Sequence, residues 1–315
     1  MSRSLLAAIV CASLAASITA FAPRPAFAQA AKAKDKPTPP EDVKFETPDG
    51  WTIHATYYAG RLKKQAVPFI LLHGWEGQRG DYDALAKYLQ GLGHAVLCPD
   101  LRGHGQSNTR PGANAKALDD PDDLTNNEVK AMVADVEECK KFLRDKNNAG
   151  ECNIEMLSLV AADFSCITAL KWSALDWSVR NLPAYKQGQD VKLVVMLSPM
   201  QSFKGTTLND ALTHPAVKSR LALVIVAGQG DSKGYADAKK INTRLENFRP
   251  EMKKDGVKNE DRTLFFIELK TNLSGTKLLN EALGVNNLIS NVAKYRLLDK
   301  QESFAWAERI NPRGN

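Results

Sequence analysis

The segment VPFILLHGWEGQRGDYDALAKYLQGLGHAVLCPDLRGHGQS, residues 67–107, carries the strongest structural signal in this sequence. Its apolar residues 67–72 predict a buried strand that ends at a His-Gly pair, and residues 95–98 predict a second strand. Between them, apolar side chains recur at helical spacing, at Tyr82, Leu85, Tyr88 and Leu89. A strand, a helix and a strand joined by short connections form a βαβ unit, which predicts a parallel sheet covered by helices.

The rest of the chain extends this unit in both directions. Residues 43–47 and 51–58 alternate apolar and polar positions around Pro48-Asp49-Gly50, which predicts an antiparallel hairpin at the sheet edge. Further strands are predicted at residues 153–160, 191–197, 221–227 and 263–269, and helices at residues 161–175 and 277–298 and after Thr125, which can form a capping box with Glu128. Only residues 198–220 separate two of the strands, so no large lid and a comparatively open pocket are expected.

Three motifs in this segment, LLHGW, GDYDALAKYLQGLGHAVLCPD and DLRGHGQS, follow one another in the order and spacing of a known family. The chain resembles the α/β-hydrolase superfamily, in particular its lysophospholipase, monoacylglycerol lipase and serine aminopeptidase S33-like branch. The resemblance implies an α/β-hydrolase fold, with a mostly parallel central sheet, an antiparallel N-terminal edge hairpin and helices on both faces. It does not by itself imply the chemistry, because one fold supports many functions.

The family places its nucleophile on a sharp strand-to-helix turn, usually within Gly-x-Ser-x-Gly. The matching residues here are 161–165, AADFS, which put Asp163 at the nucleophile position. Two interpretations remain open. Asp163 is an aspartate nucleophile, as in the dehalogenase and epoxide hydrolase branches, or the active site is lost and Asp163 only caps the following helix.

The family's catalytic histidine follows the last strand and usually precedes Gly-Thr. The matching residues 271–276, TNLSGT, keep Gly-Thr but place Ser274 at the histidine position. A serine hydroxyl cannot act as a general base near neutral pH. The chain has five histidines, none after His214, and His214 is the one candidate for an unusually placed base.

The remaining site positions are better preserved. Asp231 follows a predicted strand where the family places the acid of its triad. The resemblance assigns the oxyanion hole to the backbone amides of Trp75 and Phe164. An ionised Asp163 beside this hole would repel a developing oxyanion, which disfavours ester hydrolysis by the usual route.

Three functional hypotheses follow. The first is a degenerate catalytic triad, in which Asp163, Asp231 and Ser274 belong to a non-catalytic or weakly active binding or structural protein. The second is an active ester-, epoxide- or halide-cleaving hydrolase that uses Asp163, Asp231 and His214. The third is an esterase with another serine as its nucleophile, Ser158 or Ser165.

The ends of the chain predict an exported protein. Residues 1–28 have the basic start, apolar core and small-x-small cleavage site of a signal peptide. Residues 29–41 predict a disordered linker, residues 42–298 the α/β-hydrolase domain and residues 299–315 a C-terminal tail. The expected location is therefore periplasmic or secreted, with no membrane span after cleavage.

The charge and the cysteine spacing indicate which binding partners to expect. The formal net charge of +6 is mild and forms no basic stripe, so nucleic acid is not an expected partner. A small apolar or ester-like ligand is the expected one. No cysteine spacing matches a zinc site, and neither a metal nor a cofactor is expected. Cys139 and Cys152 could pair as a disulfide in an exported chain, whereas Cys98 and Cys166 are predicted to be buried thiols.

Overall fold

The computed structural model describes residues 36–112, 115–182, 185–254 and 256–309. The predicted signal peptide, residues 1–28, and residues 29–35 of the predicted linker lie outside the described residues. From Pro37 onward the chain forms one compact unit. No helix among the described residues is both long and apolar enough to cross a membrane.

An eight-stranded sheet forms the centre of this unit, with the strand order β1-β2-β4-β3-β7-β8-β11-β12. β1 pairs antiparallel with β2, β2 pairs antiparallel with β4, and all the other neighbours are parallel. The strands are β1 (Glu41–Glu46), β2 (Thr52–Tyr58), β3 (Pro68–Leu72), β4 (Ala95–Pro99), β7 (Leu157–Ala162), β8 (Val191–Leu197), β11 (Ala222–Gly228) and β12 (Leu264–Leu269). The predicted mostly parallel sheet with an antiparallel edge hairpin is confirmed.

Two small hairpins lie outside the central sheet. They are β5 (Thr109–Arg110) with β6 (Lys116–Ala117), and β9 (Ser202–Phe203) with β10 (Thr206–Thr207). The second hairpin belongs to the short segment between β8 and β11, which contains no large lid.

Helices cover both faces of the sheet, as predicted. The side chains of α2, α3 and α6 join one apolar cluster, and those of α1 and α7 join the other. The helices are α1 (Asp83–Gly91), α2 (Asn126–Asn148), α3 (Ser165–Ser178), α4 (Asn209–Thr213), α5 (Pro215–Ser219), α6 (Ser232–Phe248) and α7 (Val285–Arg296). Thr125 and Glu128 form the predicted capping box at the start of α2.

One prediction about the C-terminal part is wrong. The long helix at residues 277–298 is divided into two 3₁₀ turns and α7, because Gly284 adopts a left-handed conformation with φ 67° that a continuous helix does not allow. The predicted C-terminal tail, residues 299–315, contacts the domain as far as residue 309, the last one described. The Asn147, Asn148 and Asn153 side chains hydrogen-bond to its backbone carbonyls.

The cysteines are all thiols in the described part of the chain. Cys98, Cys139, Cys152 and Cys166 are free and buried. The predicted buried thiols at Cys98 and Cys166 are therefore present, and the suggested bridge between Cys139 and Cys152 does not form in this structure.

Candidate functional site

The sharp strand-to-helix turn at residues 161–165, called the elbow below, lies between β7 and α3, as the match to the family motifs predicted. Asp163 occupies the turn with φ 52°, in the left-handed region. Few residues adopt this conformation without strain, although aspartate tolerates it better than most. Ala161 and Ala162 are fully buried, so the chain can turn sharply without crowding. The structure therefore presents Asp163 at the carboxyl end of the sheet, just before α3.

Two serines near the elbow serve the backbone. The Ser165 hydroxyl donates to the carbonyls of Ala162 at 2.8 Å and Leu72 at 3.0 Å. The Ser158 hydroxyl, inside β7, donates to the carbonyl of Met156 at 3.1 Å. Both serines are fully buried. The structure therefore contradicts the hypothesis that Ser158 or Ser165 is a nucleophile.

The carboxyl group of Asp163 lies between two glycines from different loops. A Cβ atom on Gly74 or on Gly275 would lie 2.3 Å from Oδ2 of Asp163. Gly275 is the residue after Ser274, so the predicted histidine position does come to the elbow. Among the described residues, no side chain or backbone amide donates a hydrogen bond to this carboxyl group. Asp163 does not cap α3 with its side chain either, so the predicted capping role is wrong.

Burial, together with the negative charge of Asp231, raises the pKa of Asp163 to about 7, while Lys277 acts in the opposite direction. A carboxyl group with few hydrogen bonds and little solvent holds its proton more tightly than one in water. Asp163 is thus largely neutral below pH 7. A neutral carboxyl group is a hydrogen-bond donor and a poor nucleophile.

The two backbone amides assigned to the oxyanion hole come from separate loops at the carboxyl end of the sheet. Trp75 lies in the loop after β3, and Phe164 follows Asp163. Within the described ranges, neither the Trp75 nor the Phe164 amide donates a hydrogen bond to another protein group. Donors without a protein acceptor at these two positions are what an oxyanion hole requires.

Hydrogen bonds join the loop that carries Asp231, at the family's acid position, to the loop that carries Ser274, at the family's histidine position. Asp231 accepts a hydrogen bond from the Gly234 amide at 3.1 Å and thereby caps α6. The Gly230 amide donates to the carbonyl of Thr271 at 2.8 Å, which holds the Asp231 loop against the loop that carries Ser274. The Gly275 amide donates to the Ser198 hydroxyl at 3.0 Å. The structure therefore brings the loops of Asp163, Asp231 and Ser274 to one end of the sheet.

Two histidines lie on the side of the oxyanion loop, and both are structural. Nδ1 of His73 lies 2.8 Å from the carbonyl of Gly74, and its Nε2 accepts from the Leu101 amide at 3.0 Å. Nδ1 of His104 lies 3.0 Å from the carbonyl of Arg102. Burial lowers the pKa of each imidazole to about 4, so both are neutral at physiological pH.

His214 is not close to Asp163. Its Nδ1 accepts from the Ala216 amide at 3.3 Å, and its Nε2 lies 3.2 Å from the hydroxyl of Ser178, the last residue of α3. Asp163 precedes the other end of this 14-residue helix, about 20 Å away at 1.5 Å per residue. The prediction that His214 could serve as the base is therefore wrong, and it caps α5 instead.

The last two histidines are also remote from the elbow. His54 lies on β2 and pairs with Lys44 in the edge hairpin. His94 precedes β4, where its Nδ1 accepts from the Val67 amide at 3.4 Å. All five histidines of the sequence are thus described, and none contacts Asp163.

Comparisons with known proteins agree with this arrangement. A family model described as the alpha/beta hydrolase fold matches residues 67–154, which include the βαβ unit. An esterase of Pyrococcus furiosus superposes with a TM-score of 0.56 at 12% identity, over 85% of this chain and 92% of that one. The chain has the α/β-hydrolase fold.

Two further structures share this α/β-hydrolase fold. A dienelactone hydrolase from Anabaena variabilis gives a TM-score of 0.55 at 13% identity, over 82% of this chain and 99% of that one. An esterase from Exiguobacterium antarcticum gives 0.53 at 12% identity, over 81% and 100%. No curated protein matches the sequence. Likeness at these identities concerns the fold alone.

An aromatic cluster beside the site was not predicted from the sequence. The ring centroid of Trp75 lies 4.9 Å from that of Phe164 and 4.7 Å from that of Phe203, on the β9–β10 hairpin. Asp122 accepts from Nε1 of Trp75 at 3.0 Å and pairs with Lys204 at 2.9 Å. The short segment after β8 therefore packs against the Trp75 side of the site. An isolated Phe-Lys pair in a loop gives no local signal of this contact.

Proposed function

We propose that this protein is a binding member of the α/β-hydrolase fold that has lost acyl-transfer chemistry. One observation carries the proposal. Asp163 stands at the nucleophile position, and no histidine reaches it, because hydrogen bonds hold His73, His94, His104 and His214 elsewhere and His54 is on the edge hairpin. Ser274, in the histidine loop, cannot replace an imidazole as a base.

The expected loss of rate is large. Removing members of a Ser-His-Asp triad lowers the rate by about 10⁴- to 10⁶-fold. Two of the three positions differ here, and the carboxyl group of Asp163 occupies the side of the elbow where a hydroxyl would attack. Asp231 remains, but its carboxylate caps α6 and has no imidazole to orient.

Several features of the site support binding. The Trp75 and Phe164 amides offer two unused donors to a ligand oxygen, and a neutral Asp163 adds a third. Phe203 and the Trp75 ring supply an apolar wall beside these donors. The site therefore fits a small, partly apolar ligand with a carbonyl or ester oxygen, which the protein would hold without cleaving.

Hydrolysis of short and medium p-nitrophenyl esters tests this proposal. We expect the natural protein to be inactive and Asp163→Ser/Ser274→His to gain measurable turnover, because the double change restores a nucleophile and a base in register. Asp163→Ser alone is the matched control and should stay inactive. Turnover by the natural protein that survives Asp163→Ala, or labelling of a serine by a fluorophosphonate, would overturn the proposal.

A second candidate function rests on the strained turn. Asp163 keeps the left-handed conformation of a nucleophile, although a residue without a role at this position has no need of it. In this alternative, its carboxylate oxygen bonds to an alkyl halide carbon and releases the halide ion, or bonds to an epoxide carbon and breaks the ring C–O bond, whose alkoxide takes a proton from water; either step leaves an ester on Asp163. Without a base, the ester would accumulate. Mass spectrometry after exposure to an epoxide at pH 9 would detect an adduct on Asp163, and its absence would remove this candidate.

We also propose export and the lysophospholipase and S33-like branch as the origin of the fold. The leader pattern at residues 1–28 supports export, and the three motifs in residues 71–107 support the branch. N-terminal sequencing of the mature protein should give Gln29 as the first residue. A mature chain that begins with Met1 or Ser2 would contradict export by cleavage at this site.

A further inference from the structure

A second concave surface lies on the outer side of α3 and uses no residue of the elbow. This surface, the α3 groove, has a volume of about 490 Å³. Val133 of α2, Ala174 and Leu175 of α3, and Ala211 of α4 contribute apolar side chains to it. Its size lies within the range of small-molecule sites, which are usually apolar concavities with a few polar groups at fixed positions.

Leu175 makes the groove unusual as a solvent-exposed surface. Its exposed fraction is 54%, the highest of any large hydrophobic side chain in the described part of the chain. Single exposed leucines are common on convex surfaces. Leu175 instead lies beside Val133 and Ala174 in one concavity, and contiguous exposed apolar surface of this kind marks interaction and ligand-binding sites.

The charges around the groove favour an anion. Lys130 of α2 and Lys171 of α3 both line it, and neither forms an ion pair with a carboxylate of the described residues. In the described ranges, the Lys171 ammonium has one hydrogen-bond acceptor, the neutral hydroxyl of Thr206 at 3.0 Å. Asp210 is the single carboxylate of the lining, so the lysines exceed the acids by one.

We propose that the α3 groove binds a medium-chain carboxylate amphiphile, with its acyl chain against Leu175 and Ala174 and its carboxylate beside Lys130 and Lys171. An acyl chain would cover the exposed leucine and gain the free energy of burying apolar surface. The carboxylate would supply the ion-pair partner that both lysines lack. This site is independent of the function proposed for Asp163.

Isothermal titration of the purified full-length protein with two amphiphiles of equal chain length tests the proposal. The probes are dodecanoate and dodecyltrimethylammonium, each below its critical micelle concentration. We expect dodecanoate to bind at one site and the cationic amphiphile to bind roughly tenfold more weakly or not at all. Equal affinity for the two probes, or no binding of dodecanoate, would overturn the proposal.

Matched variants locate the site. Leu175→Asp should weaken dodecanoate binding by roughly tenfold or more, because it removes the apolar wall and adds a repelling charge. Leu92→Asp makes the same change at another exposed leucine, with an exposed fraction of 41%, and should leave the affinity unchanged. Lys130→Gln/Lys171→Gln should reduce the preference for dodecanoate. Unchanged affinity in Leu175→Asp, or an unchanged preference in the double variant, would contradict the assignment.

Discussion

Two buried aspartates at different places in the molecule have opposite electrostatic surroundings. Asp163, at the elbow, has no hydrogen-bond donor to its carboxyl group among the described residues, and burial raises its pKa. Asp190, just before β8, pairs with Lys140 at 3.1 Å, Lys186 at 3.3 Å and Arg309. Burial alone would raise the pKa of Asp190 as well, but these three cations hold it below its ordinary value.

The different pairing of these two acids indicates different roles, one in stabilising the fold and one in a functional site. A fully paired buried acid fixes the elements around it, because removing any partner leaves an uncompensated charge. An unpaired acid is costly to the fold and available to a ligand. Cations surround Asp190, whereas the partly buried carboxyl group of Asp163 stays unpaired where the loops of the site converge.

The largest effect is expected when the paired acid is removed. Asp190→Asn leaves the charges of Lys140, Lys186 and Arg309 in a buried cluster and should lower the free energy of unfolding by about 3 kcal/mol. Asp145→Asn is the control, because Asp145 is an exposed acid whose one ion pair among the described residues is with Arg144. Urea unfolding at pH 7 measures both. A loss below 1 kcal/mol for Asp190→Asn would show that the cluster is not a stabilising unit.

The next effect concerns the segment that supplies Arg309. Its side chain is almost fully buried and also pairs with Glu155 at 2.5 Å, while its amide donates to the Asn148 side chain at 2.8 Å. Arg309→Ala should lower the free energy of unfolding by about 2 kcal/mol and expose the C-terminal segment to proteases. Glu308→Ala changes the exposed neighbour and should do neither. Equal protease resistance in the two variants would mean that Arg309 does not anchor the segment.

Asp163→Asn should raise the free energy of unfolding, and the size of the increase should depend on pH. The pKa of Asp163 rises from 3.8 to about 7 on folding, so the folded state binds the proton more tightly. Protonated Asp163 costs the fold nothing below pH 4. As the pH rises from 4 to 7, ionisation of this group lowers the free energy of unfolding, and the full loss is present above pH 7. Asparagine has the same shape and no charge. It should add about 2 kcal/mol at pH 8 and almost nothing at pH 4.

Unfolding curves at the two pH values check this difference. Asp190→Asn serves as the internal comparison. Because the pKa of Asp190 is lowered in the natural protein, its ion pairs stabilise the fold above pH 4, and this stabilisation is lost as the pH falls. If Asp163→Asn were equally stabilising at pH 4 and pH 8, ionisation of Asp163 would not be the cause. A destabilising effect at pH 8 would show that the carboxylate has a partner in solution.

Local sequence patterns predicted the strands and helix starts well, but they did not predict the long-range contacts. Apolar runs placed the strands, the Thr125 and Glu128 pair placed a helix start, and register with the family motifs placed Asp163 on the turn. These signals act over a few residues. The burial of Arg309 beside Asp190 depends on residues 119 positions apart, and no local pattern encodes it. The aromatic contact of Trp75 with Phe203 was missed for the same reason.

The smallest effect tests how tightly the unpaired carboxyl group is held. A methyl group on Gly74 would meet Oδ2 of Asp163 at 2.3 Å, but this atom ends a side chain that can shift, so Gly74→Ala should cost only about 1 kcal/mol. Asp163→Gly removes the obstructing side chain and relieves the left-handed strain, so the alanine should cost almost nothing in that background. Gly80→Ala has open space around it and is the control. A cost for Gly74→Ala that is the same in both backgrounds would show that the methyl group meets the backbone, and that Asp163 is free to move toward a ligand.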